Sequence, residues 1–468
     1  MPVSANNFDY GAIVIGAGPG GYPCAIRLAQ LGVKTLIVDK EYWGGVCLNV
    51  GCIPSKAMIT AAKHFEDIQH AADFGIEVSG DVSIDGKKLQ AFKNKVVSRL
   101  TGGVETLLKG NKVELASGTA TVTDANTVQI EGPDGTKTVT AENIVIATGS
   151  SPIQIPGFNF ADERIIDSTG ALALEEIPGK LVVIGGGYIG LEMGGMFAKL
   201  GTEVTVVEMM DQILPGFDKD VVKLLARKLK KQGVKTLLKT KAGGWEATDG
   251  GVKVNVETPK GAESIEADYV LVTVGRRPNT KGVADALGLA MDGPFFQVDE
   301  QRRTSVPNVF AIGDVACQPM LAHKATHEGE IVAEVIAGHN VKCDYRTVPA
   351  VVFTDPEIAT AGLDEQAARE RGEVLVGKVP YAAVGRSITA NETDGFYKVI
   401  VDAETKRILG VTIVGYHASD LISEAGLAIE MSAEALDIGL TIHPHPTLGE
   451  GIMEAAKAAL GEAVHVLN

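Results

Sequence analysis

The chain has 468 residues and a formal net charge of -16, from 43 Lys plus Arg against 59 Asp plus Glu. That length leads us to expect two to four domains of about 100 to 200 residues, and 45% apolar with 22% charged residues suits globular domains with sizeable cores. The acidic balance argues against a nucleic-acid surface, which needs clustered Lys and Arg, and five cysteines in so long a chain do not make a disulfide scaffold.

Residues 1–10 carry neither a basic nor an apolar leader region, and no uncharged apolar run of about 18 residues marks a membrane span. The expectation is a cytoplasmic or similarly reducing setting, with no membrane or nucleic-acid partner. In such a setting a close cysteine pair means catalysis or metal more often than structure.

Residues 12–15 are an apolar run, followed by Gly16-Ala-Gly18-Pro-Gly-Gly21 and a helical pattern to Leu31. A second apolar run, 35–38, ends at Asp39. This predicts a βαβ dinucleotide unit. Gly16 makes the turn, Gly18 lets the backbone approach a pyrophosphate, and Gly21 lets the helix pack on the strand. The helix N-terminus offers N–H groups to the phosphates, and Asp39 can accept hydrogen bonds from ribose hydroxyls.

Next comes Gly44-Gly-Val-Cys47-Leu-Asn-Val-Gly-Cys52-Ile-Pro-Ser-Lys56. Five residues of regular helix rise about 7.5 Å, whereas a disulfide wants Cα atoms about 4.4 to 6.8 Å apart. If Cys47 and Cys52 bond, the turn between them is distorted, which Gly51 eases. Zinc would need four ligands, and neither a second cysteine pair nor a nearby His completes a set, so no metal is expected. Two inert buried thiols are the plainer alternative.

The whole glycine unit recurs. Residues 181–184 lead into Gly185-Gly-Gly187-Tyr-Ile-Gly190, a helix to Leu200, and Glu203–Val207 ending at Glu208. Gly16, Gly18, Gly21, Leu31, Gly32 and Asp39 match Gly185, Gly187, Gly190, Leu200, Gly201 and Glu208 at a single offset of 169. One glycine triplet could be chance in so glycine-rich a chain, but a repeated unit implies two dinucleotide sites. Glu208 would repel a 2′-phosphate and is followed by Met209, Met210 and Asp211, so the second site should prefer NAD(H) to NADP(H).

Further parallel-strand signals at 144–148, 269–274 and 309–312 end at Thr148-Gly149, Gly275 and Gly313-Asp314, where an open α/β sheet meets its ligands. From Tyr345 onward, strands at 396–401 and 410–415 alternate with Ala-rich helices, an α+β pattern. The expected fold is α/β, with two Rossmann-like units and a C-terminal α+β domain. The expected bounds are 1–150 for the first unit, 151–275 for the second, 276–344 returning to the first, and 345–468 for the last. His445 and Glu450 fall in a Pro-punctuated segment whose start cannot be regular helix. A neutral His can take a thiol proton and a carboxylate can fix its tautomer, but spacing does not choose between His443 and His445. Cys24, Cys317 and Cys343 have no thiol neighbour in sequence and read as structural.

Together the run GGVCLNVGCIPSK, both fingerprints, Val309-Phe-Ala-Ile-Gly313-Asp314 and His443-Pro-His445-Pro-Thr-Leu-Gly-Glu450 resemble the dihydrolipoamide dehydrogenases, within the flavoprotein disulfide reductases, over essentially the whole chain. The resemblance implies FAD at the first unit and NAD at the second, with Asp314 toward the FAD ribityl and phosphates. It implies Lys56 near the flavin, Glu192 as its ion-pair partner and Tyr188 over the nicotinamide pocket. It makes Cys47 the exchanging thiol, Cys52 the thiol nearer the flavin, and His445 with Glu450 the base, working across a homodimer. The reaction implied is oxidation of dihydrolipoamide by NAD⁺. The implied partners are lipoyl domains of an acyltransferase or a glycine-cleavage carrier protein, around a multienzyme core. A glutathione-type reductase is the nearest rival, and it would carry basic residues where this chain has Glu208. A mercuric-type or large thioredoxin reductase would add a C-terminal redox pair, and a docking scaffold is a reading from another class.

Overall fold

The computed structural model describes residues 8–467; residues 1–7, on which part of the leader reading rests, and Asn468 lie outside that range. Tyr10–Ile15 pairs in parallel with Thr35–Asp39 on one side and with the long strand Gly135–Ile146 on the other, so that Ala12 faces both Thr35 and Asn143. Glu114–Ser117 and Val309–Ala311 extend this parallel set at its two ends. Ile13, Val14 and Ile15 are buried on both sides of the sheet, which is why these strands read as unbroken apolar runs. The helix Gly21–Gln30 lays Cys24, Ala25 and Leu28 into the core. A Cβ on Gly21 would stand 1.8 Å from the Gly16 carbonyl oxygen, so only glycine allows this approach.

The second unit repeats the plan. Lys235–Leu237, Glu203–Val207, Lys180–Ile184, Tyr269–Val272 and Ile165–Ile166 lie side by side in that order, all parallel. The crossover helix Tyr188–Lys199 buries Leu191, Met193 and Phe197. Each unit also carries an antiparallel flap. One is formed by Thr119–Asp124, Thr127–Gly132 and the start of Gly135–Ile146, the other by Lys241–Ala247, Val252–Thr258 and Gly261–Ala267. The units differ between their second and third strands. There the first inserts the helices Gly45–Asn49, Cys52–Gln69 and Gly86–Gly110, while the second has Lys219–Lys231.

The third sheet is antiparallel, in the order Ala350–Val352, Glu357–Gly362, Ile408–Gly415, Phe396–Asp402, Val374–Pro380. Tyr397, Val399 and Ile413 face Ile422 and Ile452 of the covering helices Ala418–Glu430 and Glu450–Ala459. The fold is therefore α/β with two Rossmann-like units followed by an α+β domain. Ion pairs clamp the parts together. Lys199 of the second unit meets Glu66 of the first at 2.7 Å and Asp355 of the third at 2.5 Å. Lys398, only 2% exposed, meets Asp218 at 2.5 Å.

Residues 45–69, counted as one run, are long and apolar enough to cross a membrane. The backbone leaves the helical region at Val50 and Gly51, however, and the second segment packs Met58 and Ala62 into the core beside the second unit. The run is thus two segments, of which the second packs one face on the core, and it carries the cysteine pair.

Candidate active site

The expected distortion lies between the two cysteines. Gly45–Asn49 ends at Val50 (φ -138°), Gly51 sits at φ -130°, ψ -109°, and a new helix starts at Cys52. A Cβ on Gly51 would come within 2.9 Å of the Val46 carbonyl oxygen. The break folds the two thiols into hydrogen-bond contact, with Cys47 half-buried and Cys52 exposed. The hydrogen bond from Cys47, acting with Lys56, pushes the Cys52 thiol down to about 7, while that same bond and burial hold Cys47 well above the usual thiol range. Cys52 is also the first residue of its helix, where the helix dipole favours a thiolate. The helix start and Lys56 thus favour negative charge on Cys52 over Cys47.

Lys56, one turn on, meets Glu192 of the second unit at 2.7 Å, and the Glu192 side chain is only 5% exposed. The other Glu192 oxygen accepts the Phe353 backbone N–H at 2.8 Å, and the Phe353 ring lies under the Lys56 ammonium, 4.3 Å from nitrogen to centroid. Three regions of the chain therefore meet beside Cys52, and the charge of Glu192 is satisfied on both oxygens. Phe353 carries no sequence signal that would have found it. Tyr188 opens the helix after Gly187 and remains 41% exposed. Burial raises its phenol, on which Arg276, Glu192, Asp314 and Cys52 also act. Its phenol is therefore within electrostatic reach of the thiol site.

The two glycine loops fit dinucleotides. Gly16 (φ +103°) and Gly185 (φ +108°) turn where a Cβ would strike the carbonyl oxygens of Ala147 and Thr273 at 2.3 and 2.7 Å. By contrast, a Cβ on Gly187 would have nothing within 4 Å, and one on Gly18 only the Gly45 Cα at 4.0 Å. That is open space at the position where a pyrophosphate approaches the backbone. Asp39 accepts the Ala17 N–H at 2.7 Å, and Glu208 accepts the matching Gly186 N–H at 2.6 Å. The carboxylates expected to face ribose thus first brace their own loops. A carboxylate has about four lone-pair sites, which leaves capacity for a ribose hydroxyl. Beyond Glu208, Met209 and Met210 are exposed and Asp211 follows, so no basic residue comes directly after Glu208 in the chain.

At the other strand ends, Thr148 and Asn279 exchange hydrogen bonds of 2.8 and 2.9 Å, with Gly149 (φ +66°) between them and Ser150. Ser150 donates to Asp314 at 2.5 Å and accepts from Arg276 at 2.7 Å, one residue past Gly275 (φ +129°). Gly313 donates its N–H to Glu328, a fully buried carboxylate paired with Lys324 at 3.0 Å and Arg302 at 3.1 Å. The Arg302 guanidinium also contacts the sulfurs of Cys343 (3.3 Å) and Cys317 (3.9 Å). Cys317 and Cys343 are thus neighbours of one cation, a relation their separation in sequence hides. Cys24 is fully buried. Among the described residues no group of three or more His, Cys, Asp or Glu side chains could hold a metal ion.

His445 Nδ1 pairs with Glu450 Oε1 at 2.9 Å, and Thr447 donates its backbone N–H to the other oxygen at 2.9 Å. Burial would raise the Glu450 carboxyl, but these hydrogen bonds hold it below its ordinary range. His443 is sequestered instead: its side chain is 7% exposed, with Nε2 on Glu424 at 2.9 Å and Nδ1 on the Thr441 carbonyl. The His445 side chain is 76% exposed, and the charged side chains that act on Cys52 are those of Lys56 and Glu192. Within one chain, then, the structure gathers Cys47, Cys52, Lys56, Glu192 and Tyr188, while the exposed His445 pairs with the half-buried Glu450.

Comparison with known proteins agrees with this geometry. A pyridine nucleotide-disulphide oxidoreductase model matches residues 10–329, and the dimerisation-domain model of the same group matches residues 348–456. The chain is 52% identical to a dihydrolipoyl dehydrogenase of Geobacillus stearothermophilus and 50% identical to one of Bacillus subtilis, in each case over 97% of both chains. Among solved structures, LpdA from Mycobacterium tuberculosis superposes with a TM-score of 0.89 at 27% identity, covering 95% of this chain and 99% of that one. The chain belongs to the pyridine nucleotide-disulphide oxidoreductases, FAD- and NAD-using enzymes, and within them to the dihydrolipoyl dehydrogenases.

Proposed function

We propose that the chain oxidises dihydrolipoamide carried on lipoyl domains, as the shared dehydrogenase of a 2-oxo acid dehydrogenase or glycine-cleavage complex. The observation that carries this reading is the polarised Cys47–Cys52 pair beside the Lys56–Glu192 ion pair. FAD, held by Gly16, Gly18, Gly21, Asp39, Thr148, Gly149, Gly313 and Asp314, supplies the two-electron carrier between that pair and NAD⁺, which is held by Gly185, Gly187, Gly190, Glu208 and Gly275. On this reading residues 1–150 and 276–344 serve FAD, 151–275 serve NAD, and 345–468 form the subunit interface.

The protein's own groups divide the remaining work. With the pair oxidised, His445 of the partner subunit takes a proton from one substrate thiol, and Glu450 stabilises the imidazolium formed. The substrate thiolate attacks Cys47 Sγ, the Cys47–Cys52 bond breaks, and the leaving electron pair rests on Cys52. Lys56 and the helix N-terminus favour charge at Cys52, which makes it the better leaving group. The imidazolium releases this first proton to solvent, and the neutral imidazole then takes the proton of the second substrate thiol, whose thiolate attacks the substrate sulfur bound to Cys47. Lipoamide leaves as a cyclic disulfide, and Cys47 departs as thiolate and takes up a proton from the imidazolium. The Lys56–Glu192 ion pair holds its place throughout, and Tyr188, 41% exposed, would border the nicotinamide.

On this reading the active unit is a homodimer in which the base of one subunit serves the thiols of the other, and the dimerisation-domain match supports such a dimer. A labile cysteine couple that must cycle suits a reducing compartment, so we place the enzyme in the cytoplasm. The discriminating assay compares turnover of dihydrolipoamide with NAD⁺ against glutathione disulfide with NADPH on the purified protein. Dihydrolipoamide with NAD⁺ is expected to be faster by orders of magnitude; faster turnover of the glutathione pair would sink the substrate assignment.

A further inference from the structure

Strand Ala350–Val352 of the third domain ends with Val352 buried in the same cluster as Met58 and Leu191. The chain then runs along helix Tyr188–Lys199 and is pinned to it at two points. The Phe353 N–H donates to Glu192 at 2.8 Å, and Asp355 pairs with Lys199, about two turns further along that helix, at 2.5 Å. Glu66 meets the same Lys199 at 2.7 Å, which ties in helix Cys52–Gln69 as well. The Phe353 ring therefore has a fixed seat, and from it the ring centroid stands 4.3 Å from the Lys56 ammonium, which Glu192 holds at 2.7 Å.

The two contacts differ in kind. A carboxylate attracts an ammonium with an opposite charge that offsets it, whereas an aromatic face attracts it through a quadrupole and adds no net charge. Lys56 follows Cys52 by four residues on one helix, a spacing that puts both side chains on one face with Cβ atoms about 5 to 6 Å apart. A second carboxylate at position 353 would offset the charge that Lys56 presents beside Cys52. An aliphatic side chain there would leave the ammonium freer to lean into solvent, since the Lys56 side chain is 30% exposed. An aromatic ring does neither.

We propose that Phe353 is a positioning residue of the thiol site: its ring, delivered by the third domain, holds the Lys56 ammonium on Glu192 and beside Cys52, and so sets how fast electrons leave the reduced thiol pair. The inference rests on the reading of Cys47 and Cys52 as the redox couple. The step concerned re-forms the Cys47–Cys52 disulfide, with two electrons and one proton going to FAD and the second proton to solvent. The seating of the third domain thus enters the rate through a contact that touches neither sulfur.

The test is a single turnover of the holoenzyme. The thiol pair is reduced with one equivalent of dithiothreitol, the protein is mixed rapidly with saturating NAD⁺, and NADH formation is followed. Phe353→Tyr, Phe353→Leu and a protein with trifluorophenylalanine at position 353 are compared, the last keeping the ring and nearly its volume while removing the negative face. The fluorinated and Leu proteins should be slower by roughly three- to tenfold, and Phe353→Tyr within about twofold of the wild type, with FAD content and half-saturating NAD⁺ unchanged in all. In a Lys56→Met background the fluorinated ring should slow the turnover no further. A fluorinated protein as fast as the wild type would show that the ring only fills space, and would overturn the inference. Equal slowing with and without Lys56 would overturn it too, because the ring would then act by another route. Dithiothreitol reduces the pair without help from dihydrolipoamide, so this series judges Phe353 even where the substrate assay fails, and the two readings fall separately.

Discussion

The two ends of the proposed reaction path are built in opposite ways. The thiol end is assembled from distant parts of one chain: Cys47, Cys52 and Lys56 on inserted helices, Glu192 on the second crossover helix, and Phe353 at the start of the third domain. Its charges are paired, and Glu192 is almost fully buried. The base end comes from one short stretch, residues 443–450, and its imidazole stands in the open. A site that stores charge must exclude water and fix distances, which takes several elements. A base that meets its substrate at a subunit boundary needs only orientation, which one carboxylate and one backbone N–H provide.

Replacing either cysteine is the harshest test of the thiol end. Cys47→Ser and Cys52→Ser should each lower dihydrolipoamide turnover by at least about 10³-fold, while the visible flavin spectrum shows FAD still bound. Full activity in either variant would break the disulfide account. At the base end, His445→Gln should cost about 10² to 10⁴-fold in the same assay with FAD and NAD⁺ binding intact. A loss below tenfold would mean that another group takes the proton.

The polarisation of the thiols gives a subtler contrast. In the reduced enzyme the Cys52 thiolate, with its midpoint at about 7, is lost as pH falls through that value. Lys56→Met should raise the midpoint by about 1 unit, followed by thiolate absorbance in the ultraviolet. No shift would mean that the helix start and the Cys47 hydrogen bond suffice without Lys56. The smallest effect is expected at the second glycine loop. Glu208→Gln should raise KM for NAD⁺ about three- to tenfold with little change in kcat, because it weakens both the brace on Gly186 and the hold on ribose.

Much of this architecture was legible because its physics is local. The 169-residue repeat reports glycines that only a tight strand-to-helix turn requires, and the second copy of the strand Glu203–Val207 matches its predicted bounds. Gly51 announced the break between the cysteines, and the prolines around His445 announced an irregular segment. The flaps were missed, although Val252, Val254 and Val256 alternate with Lys253 and Asn255 in the two-residue period of a half-buried strand. The Phe353 N–H bound to Glu192, the Ser150–Asp314–Arg276 chain and the Cys317–Arg302–Cys343 cluster were invisible for a different reason. Each joins residues brought close only by the packing of whole domains, and none has a spacing that a sequence could display.

The claim that the two ends belong to different subunits is tested most directly with hybrid dimers. Inactive Cys47→Ser and His445→Gln proteins, dissociated and reassociated in equal amounts, should form hybrids in which one site carries both lesions and the other carries neither. With random assortment, dihydrolipoamide turnover should recover to roughly a quarter of the wild-type value. Mixtures that contain hybrid dimers yet stay inactive would show that His445 serves the thiols of its own chain, and would contradict the account.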